Sequence, residues 1–151
     1  MALSLPINFF PTLNASGKLI VALPSVILSV SSATIAETNT TASTITATMS
    51  AADGSNNTTV TIGAKNTSTA TVTDDYTFSS TTITIPSGQT TGTATITAVD
   101  DNVDDDNETV IVEITNVSNN ALESGTQEQT ITIVDNDTAC LLYTSDAADE
   151  E

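Results

Sequence analysis

Asp100, Asp101, Asp104, Asp105, Asp106 and Glu108 place six carboxylates within nine residues, and Asp135, Asn136 and Asp137 close the last apolar run before the C-terminal segment. The chemistry this spacing offers is cation binding. Like charges packed this closely repel one another, so a folded domain either leaves them spread in water or supplies a counter-ion. Oxygen-only ligands select a hard ion, and an irregular loop offering roughly six to eight oxygens suits calcium better than magnesium.

The rest of the composition narrows the chemistry further. Two bases, Lys18 and Lys65, face nineteen acids, for a formal net charge of −17, which argues against nucleic acid as a partner. There is no histidine, which removes the usual general base and the commonest ligand for zinc or copper. With no tryptophan and three phenylalanines, stacking platforms for bases or sugars are missing as well. Paired carboxylates could in principle hydrolyse a glycoside. Without His, Arg or aromatic platforms to seat a substrate, the chain reads as a non-enzyme.

Both ends are set apart before the domain is read. Residues 140–150 run Cys, Leu, Leu, Tyr, Thr, Ser, Asp, Ala, Ala, Asp, Glu and resemble the in-frame translation of a transposase sequencing adaptor, so residues 140–151 are expected to be an artefactual, disordered tail. The alternative is a genuine acidic tail. Setting it aside removes the only cysteine and four acids, leaves fifteen acids against two lysines, and implies a natural chain that continues past Ala139. A cysteine-free, Thr- and Asn-rich domain fits an exported protein, at the cell surface or secreted, that does not rely on disulfides. Residues 1–23 have no basic n-region and no evident cleavage site, and read as a leader or the end of a preceding unit. The longest apolar stretch, residues 19–30, is broken by Pro24 and Ser25 and is too short for a membrane helix, so no transmembrane segment is expected.

From Pro24 onward the apolar period is two. Val26, Leu28 and Val30 alternate with other residues, as do Ile45, Ala47 and Met49; Val60 and Ile62; Ile83 and Ile85; Ala94 and Ile96; Val110 and Val112; and Ile131 and Ile133. Turn chemistry separates the runs at Asp53 to Asn57, at Pro86, Ser87, Gly88, and at Asn119, Asn120 to Gly125. Seven such strands without a helical window predict an all-β, seven-stranded antiparallel, immunoglobulin-like β-sandwich over residues 24–139.

Strand parity then locates the acids. If successive strands alternate in direction, the ends of the first, third, fifth and seventh lie at one pole. Glu37 follows the first, Asp74 and Asp75 the third, residues 100–108 the fifth and residues 135–137 the seventh. Eleven of the fifteen acids outside the tail would share that pole.

Four separated motifs carry a family resemblance. Ile35, Ala36, Glu37; Asp75, Tyr76, Thr77, Phe78; the apolar strand from Ile83 ending in Pro86, Ser87, Gly88; and Asp100, Asp101 through Asp106, Asn107, Glu108, Thr109 with the closing Val134, Asp135, Asn136, Asp137 resemble a Calx-beta domain over residues 24–137. The resemblance implies calcium at this pole. It implies ligands from Glu37, Asp75, Asp100, Asp101, Asp105, Glu108, Asp135, Asn136 and Asp137, with a backbone carbonyl from Val103. Asn136 stands where the strongest binders of the family carry an acid, and Asp105 replaces a longer Glu, so fewer ions or weaker binding are expected. The resemblance also implies neighbouring Calx-beta-like domains in the same chain, and an adhesion-type protein facing a cell-surface or matrix component.

Plainer readings stand beside these. Asp104 and Asp106 alternate with the matched positions and are expected to face water, Asp74 to cap a turn, and Tyr76 and Phe78 to anchor the core. A passive spacer without functional calcium is the main competitor. A sandwich that binds a glycan or a crystal surface through Thr91, Thr93, Thr95, Thr97, Thr130 and Thr132 is the other.

Overall fold

The computed structural model describes residues 12–13, 15–17, 19–20, 22–118 and 121–138. The adaptor-like segment 140–151 lies outside them, as does most of the expected leader. Twelve strands are present among the described residues. In chain order they are β1 (Thr12–Leu13), β2 (Leu19–Ile20), β3 (Ser25–Val30), β4 (Thr34–Ala36), β5 (Ala42–Met49), β6 (Thr58–Ala64), β7 (Tyr76–Phe78), β8 (Thr82–Ile85), β9 (Thr91–Ala98), β10 (Glu108–Val117), β11 (Leu122–Glu123) and β12 (Glu128–Val134). Among the described residues no helix is long and apolar enough to cross a membrane.

Ten of these strands form a two-sheet sandwich, one sheet in the order β4-β12-β10-β6-β8 and the other β11-β3-β5-β9-β7. The seven strands expected from the period-two runs all form, as β3, β5, β6, β8, β9, β10 and β12. Their phase is the expected one. Val26, Ile45, Val60, Ile83, Ile96, Val110, Val112 and Ile131 are fully enclosed, because alternation sends every second side chain of each strand into the space between the sheets. Tyr76 joins them at 1% exposure and meets the half-buried Phe78 edge-to-face, with ring centroids 5.3 Å apart.

Three short elements carry no period-two signal and complete the sandwich. β7 adds to β9 antiparallel, whereas β4 runs parallel to β12 and β11 parallel to β3. β4 arises because the chain leaves the β3 sheet at residues 31–33 and crosses to the other. Backbone groups at this crossing are satisfied by Ser43, itself fully buried, whose hydroxyl donates to the Ser32 carbonyl at 2.7 Å and accepts the Ser32 amide at 3.1 Å. The amide of Thr132 then donates to the Ala33 carbonyl at 2.9 Å, and β4 continues beside β12.

The sheets close against one another where β9 meets β8. Gly92 lies so near β8 that a Cβ built on it would sit 2.5 Å from the Thr84 carbonyl oxygen and 2.8 Å from the Ile83 side chain. Backbone cannot swing aside. Gly92→Ala should therefore cost about 1–3 kcal/mol, read as a lower midpoint in a thermal melt; an unchanged midpoint would show that the corner relaxes freely.

On the outer face of the β3 sheet, Thr44, Thr46 and Thr48 of β5 stand directly opposite Thr95, Thr93 and Thr91 of β9. The outer face of the other sheet is also threonine-rich, with Thr59, Thr61, Thr82, Thr84, Thr130 and Thr132, and carries charge at one corner. Glu113 and Glu128 are directly opposed across β10 and β12, and Lys65 pairs with Glu128 there. The lysine offsets a like-charge pairing that would otherwise weaken the ladder.

Candidate metal centre

Each acid of the pole is delivered by a different piece of the framework. The crossing at residues 31–33 carries β4 alongside β12, and the Glu37 amide donates to the Val134 carbonyl at 2.9 Å, so Glu37 emerges beside Asp135. Asp75 is set by a tight turn in the loop after β6. Its carboxylate accepts the Thr71 amide, its own amide donates to the Thr71 carbonyl at 3.0 Å, and its carbonyl accepts the Val99 amide at 2.9 Å. Thr73, within that turn, takes a positive φ of 77°, a conformation that β-branched residues rarely adopt. Glu108 opens β10 directly opposite Ile133 of β12.

These elements bring Glu37, Asp105 and Asp135 together, with one carboxylate oxygen of each within 4.8 Å of the others. Around them is a small recess lined by Glu37, Asp75, Asp105, Asp106, Glu108 and Asp135 over the buried Ile133. Glu37 is 7% exposed. The apolar floor and the crowding of like charge both penalise ionisation here. Burial pushes the Glu37 carboxyl up to about 7, helped by the charges of Asp101, Asp105 and Asp135 and by a hydrogen bond with Asp135. Glu108 also rises to about 7, through burial first, then its hydrogen bond with Asp75 and the charges of Asp75, Asp105 and Glu37. Asp105 and Asp137 shift upward too, through partial burial and then the charge of Asp135.

The remaining expected ligands lie around this recess rather than in it. Asp101 accepts the Val103 amide at 2.7 Å in a local turn, and Val103 is 59% exposed. Asp137 folds back so that its amide donates to Asp135 Oδ1 at 3.0 Å. Asp100 accepts from the Asn136 side-chain amide at 3.1 Å, and the same amide donates to the Glu37 carbonyl. Asn136 therefore offers a donor, not an oxygen, to its surroundings. Asp104 and Asp106 are both exposed, as expected, but Asp106 also borders the recess. Strand alternation does not extend into an irregular loop, so no sequence signal marked Asp106.

The donor set suits a hard divalent cation. It is all oxygen, gathered from four segments, with more negative charge than the site tolerates alone. Asp137 Oδ2 is enclosed with no hydrogen-bond partner, an acceptor that a cation would satisfy.

The sequence profile described as the Calx-beta domain matches residues 22–137. The chain belongs to the Calx-beta domain family. Solved structures agree on the fold. The apo-form Calx CBD1 domain superposes with a TM-score of 0.59 at 19% identity, covering 75% of this chain and 99% of that one. CBD12 from CALX1.2 gives 0.58 at 22% identity, covering 70% and 42%. The calcium binding domain CBD12 of CALX1.1 gives 0.57 at 21% identity, covering 69% and 41%. This chain thus spans about two fifths of each CBD12 chain. No curated protein sequence matches it. The Calx-beta match begins two residues before the expected start at Pro24 and ends at the expected Asp137.

Proposed function

We propose that this Calx-beta domain is a calcium-binding, non-catalytic module in which the ion neutralises the acidic pole and stabilises the sandwich. The convergence of Glu37, Asp105 and Asp135 over a buried apolar floor carries the reading. Asp75, Asp106 and Glu108 would complete the inner ligand set, with Asp100, Asp101, Val103 and Asp137 at its margin and Asn136 beside them as a hydrogen-bond donor. One of the solved structures of similar fold is described as a calcium binding domain, in line with the family membership of this chain.

Titration calorimetry of calcium into chelator-stripped protein at pH 7.5 should give saturable binding that magnesium does not reproduce at equal concentration, since magnesium gives up its waters reluctantly. Asp135→Ala should weaken that binding by tenfold or more. No calcium heat in wild type, or undiminished binding in Asp135→Ala, would sink the assignment.

The wider setting is part of the same proposal. β12 ends in acids of the pole, so chain leaving β12 departs from the site, and bound calcium would stiffen the joint to whatever domain follows. We place the domain among neighbouring Calx-beta-like domains of one extracellular or cell-surface adhesion-type chain, facing a surface or matrix component, with residues 140–151 an adaptor-derived addition. A second reading, docking of an uncharged surface, has the opposed threonines of β5 and β9 in its favour. Such docking would be indifferent to calcium, which separates the two.

A further inference from the structure

Three asparagines tie the segments of the acidic pole together without adding charge. Asn39, just after β4, accepts the Asp100 amide on Oδ1 at 3.4 Å. Asn107, just before β10, accepts the Asp135 amide on Oδ1 at 3.0 Å. Asn136, just after β12, donates from one amide nitrogen both to the Glu37 carbonyl and to Asp100 Oδ1 at 3.1 Å.

Asn136 differs from the other two because it donates, and donates to a carboxylate. It lies between Asp135 and Asp137, where a further acid would add repulsion. A hydrogen bond from a neutral amide to an ionised oxygen is stronger than one between neutral groups. It spans the end of β4, the β9–β10 loop and the end of β12, the three segments that a cation at Glu37, Asp105 and Asp135 would also join.

We infer that Asn136 is a positioning residue, a neutral latch that keeps the cation-free pole assembled at the expense of one oxygen ligand. The inference rests on calcium binding at this pole. In the absence of calcium the amide holds Asp100 and the Glu37 backbone in register, so the site is formed before the ion arrives. The cost is affinity, because an amide nitrogen occupies a place from which a carboxylate could reach the cation.

The test compares wild type, Asn136→Asp and Asn136→Ala in thermal melts with chelator and with saturating calcium, alongside calcium titrations. In chelator both variants should melt roughly 5 °C below wild type, from the lost charge-assisted bond. In saturating calcium Asn136→Asp should regain or exceed the wild-type midpoint and bind calcium about fivefold or more tighter, since ligand charge tunes affinity at such sites. Asn136→Ala should recover in neither respect. An Asn136→Asp variant that melts with wild type in chelator, or that loses the same amount with and without calcium, would overturn the latch. Should wild type itself ignore calcium, the calcium reading fails separately, and the chelator midpoint of Asn136→Ala alone decides whether the amide holds the pole.

Discussion

Calcium added to the chelator-treated domain should raise its melting midpoint by roughly 10 °C. An ion at about 100 times its dissociation constant stabilises the folded state by about 2.7 kcal/mol per independent site, and about 1 kcal/mol moves the midpoint of a domain of this size by several degrees. Part of that binding free energy is relief of the repulsion that lifts the Glu37 and Glu108 carboxyls to about 7. Circular dichroism is the suitable probe, since the chain has no tryptophan. Asp135→Ala should remove most of the calcium increment while leaving the β spectrum unchanged. Identical melts across millimolar calcium would leave a passive spacer as the better account.

The second large effect is a pH profile that reverses on adding calcium. In the cation-free folded state Glu37 and Glu108 keep their protons up to about 7, whereas in the unfolded chain they release them near 4.5. Between those values the folded state binds more protons, so stability is fully present below pH 4.5 and declines as pH rises through 7. Each shift corresponds to about 3 kcal/mol at full weight, and solvent screening discounts the share of the partly exposed Glu108, so the midpoint should fall by roughly 10 °C or more across this window. Asp105 and Asp137 act in the same direction. Calcium requires ionised ligands, so its stabilising increment should grow over the same interval. Melts at pH 5, 6, 7 and 8 with and without calcium read both slopes. Glu37→Gln should flatten the chelator profile, raise the chelator midpoint at pH 8, and blunt the calcium response. A chelator midpoint that climbs from pH 5 to pH 8 would contradict the buried, crowded pole.

The sandwich was readable because its core is written at period two. Val26, Ile45, Val60, Ile83, Ile96, Val110 and Ile131 each sit in a run long enough for alternation to show, and each is buried. Elements of two or three residues, such as β4, β7 and β11, are too short for that pattern. Their existence depends on tertiary contacts. The crossing that makes β4 hinges on Ser43, whose hydroxyl is called on by a backbone eleven residues earlier, a pairing no local pattern announces.

The pole is a similar case. Strand direction suffices to gather Glu37, Asp75, residues 100–108 and residues 135–137 at one end, because parity is a property of the strand count. Which acids line the recess is set instead by loop geometry. Asp106 borders the recess and Asp104 does not, and Asn136 presents its nitrogen to Asp100. Sequence distinguishes residue types in a loop but not their rotations, which tertiary contacts set.

The parallel pairing of β4 with β12 has a mechanical consequence. Both strands run toward the acidic pole, and their register joins Thr34, Ile35 and Ala36 to Thr132, Ile133 and Val134. Tension that passes beyond β3 pulls β4 back by its leading end and β12 forward by its trailing end. The bonds between them, including Thr132 to Ala33 and Glu37 to Val134, are then loaded in shear, all at once, rather than unzipped one after another. Rupture under load is governed by the unfolding rate. A cation joining Glu37 to Asp135 would bear force at the end of that seam, where the two strands leave the sheet.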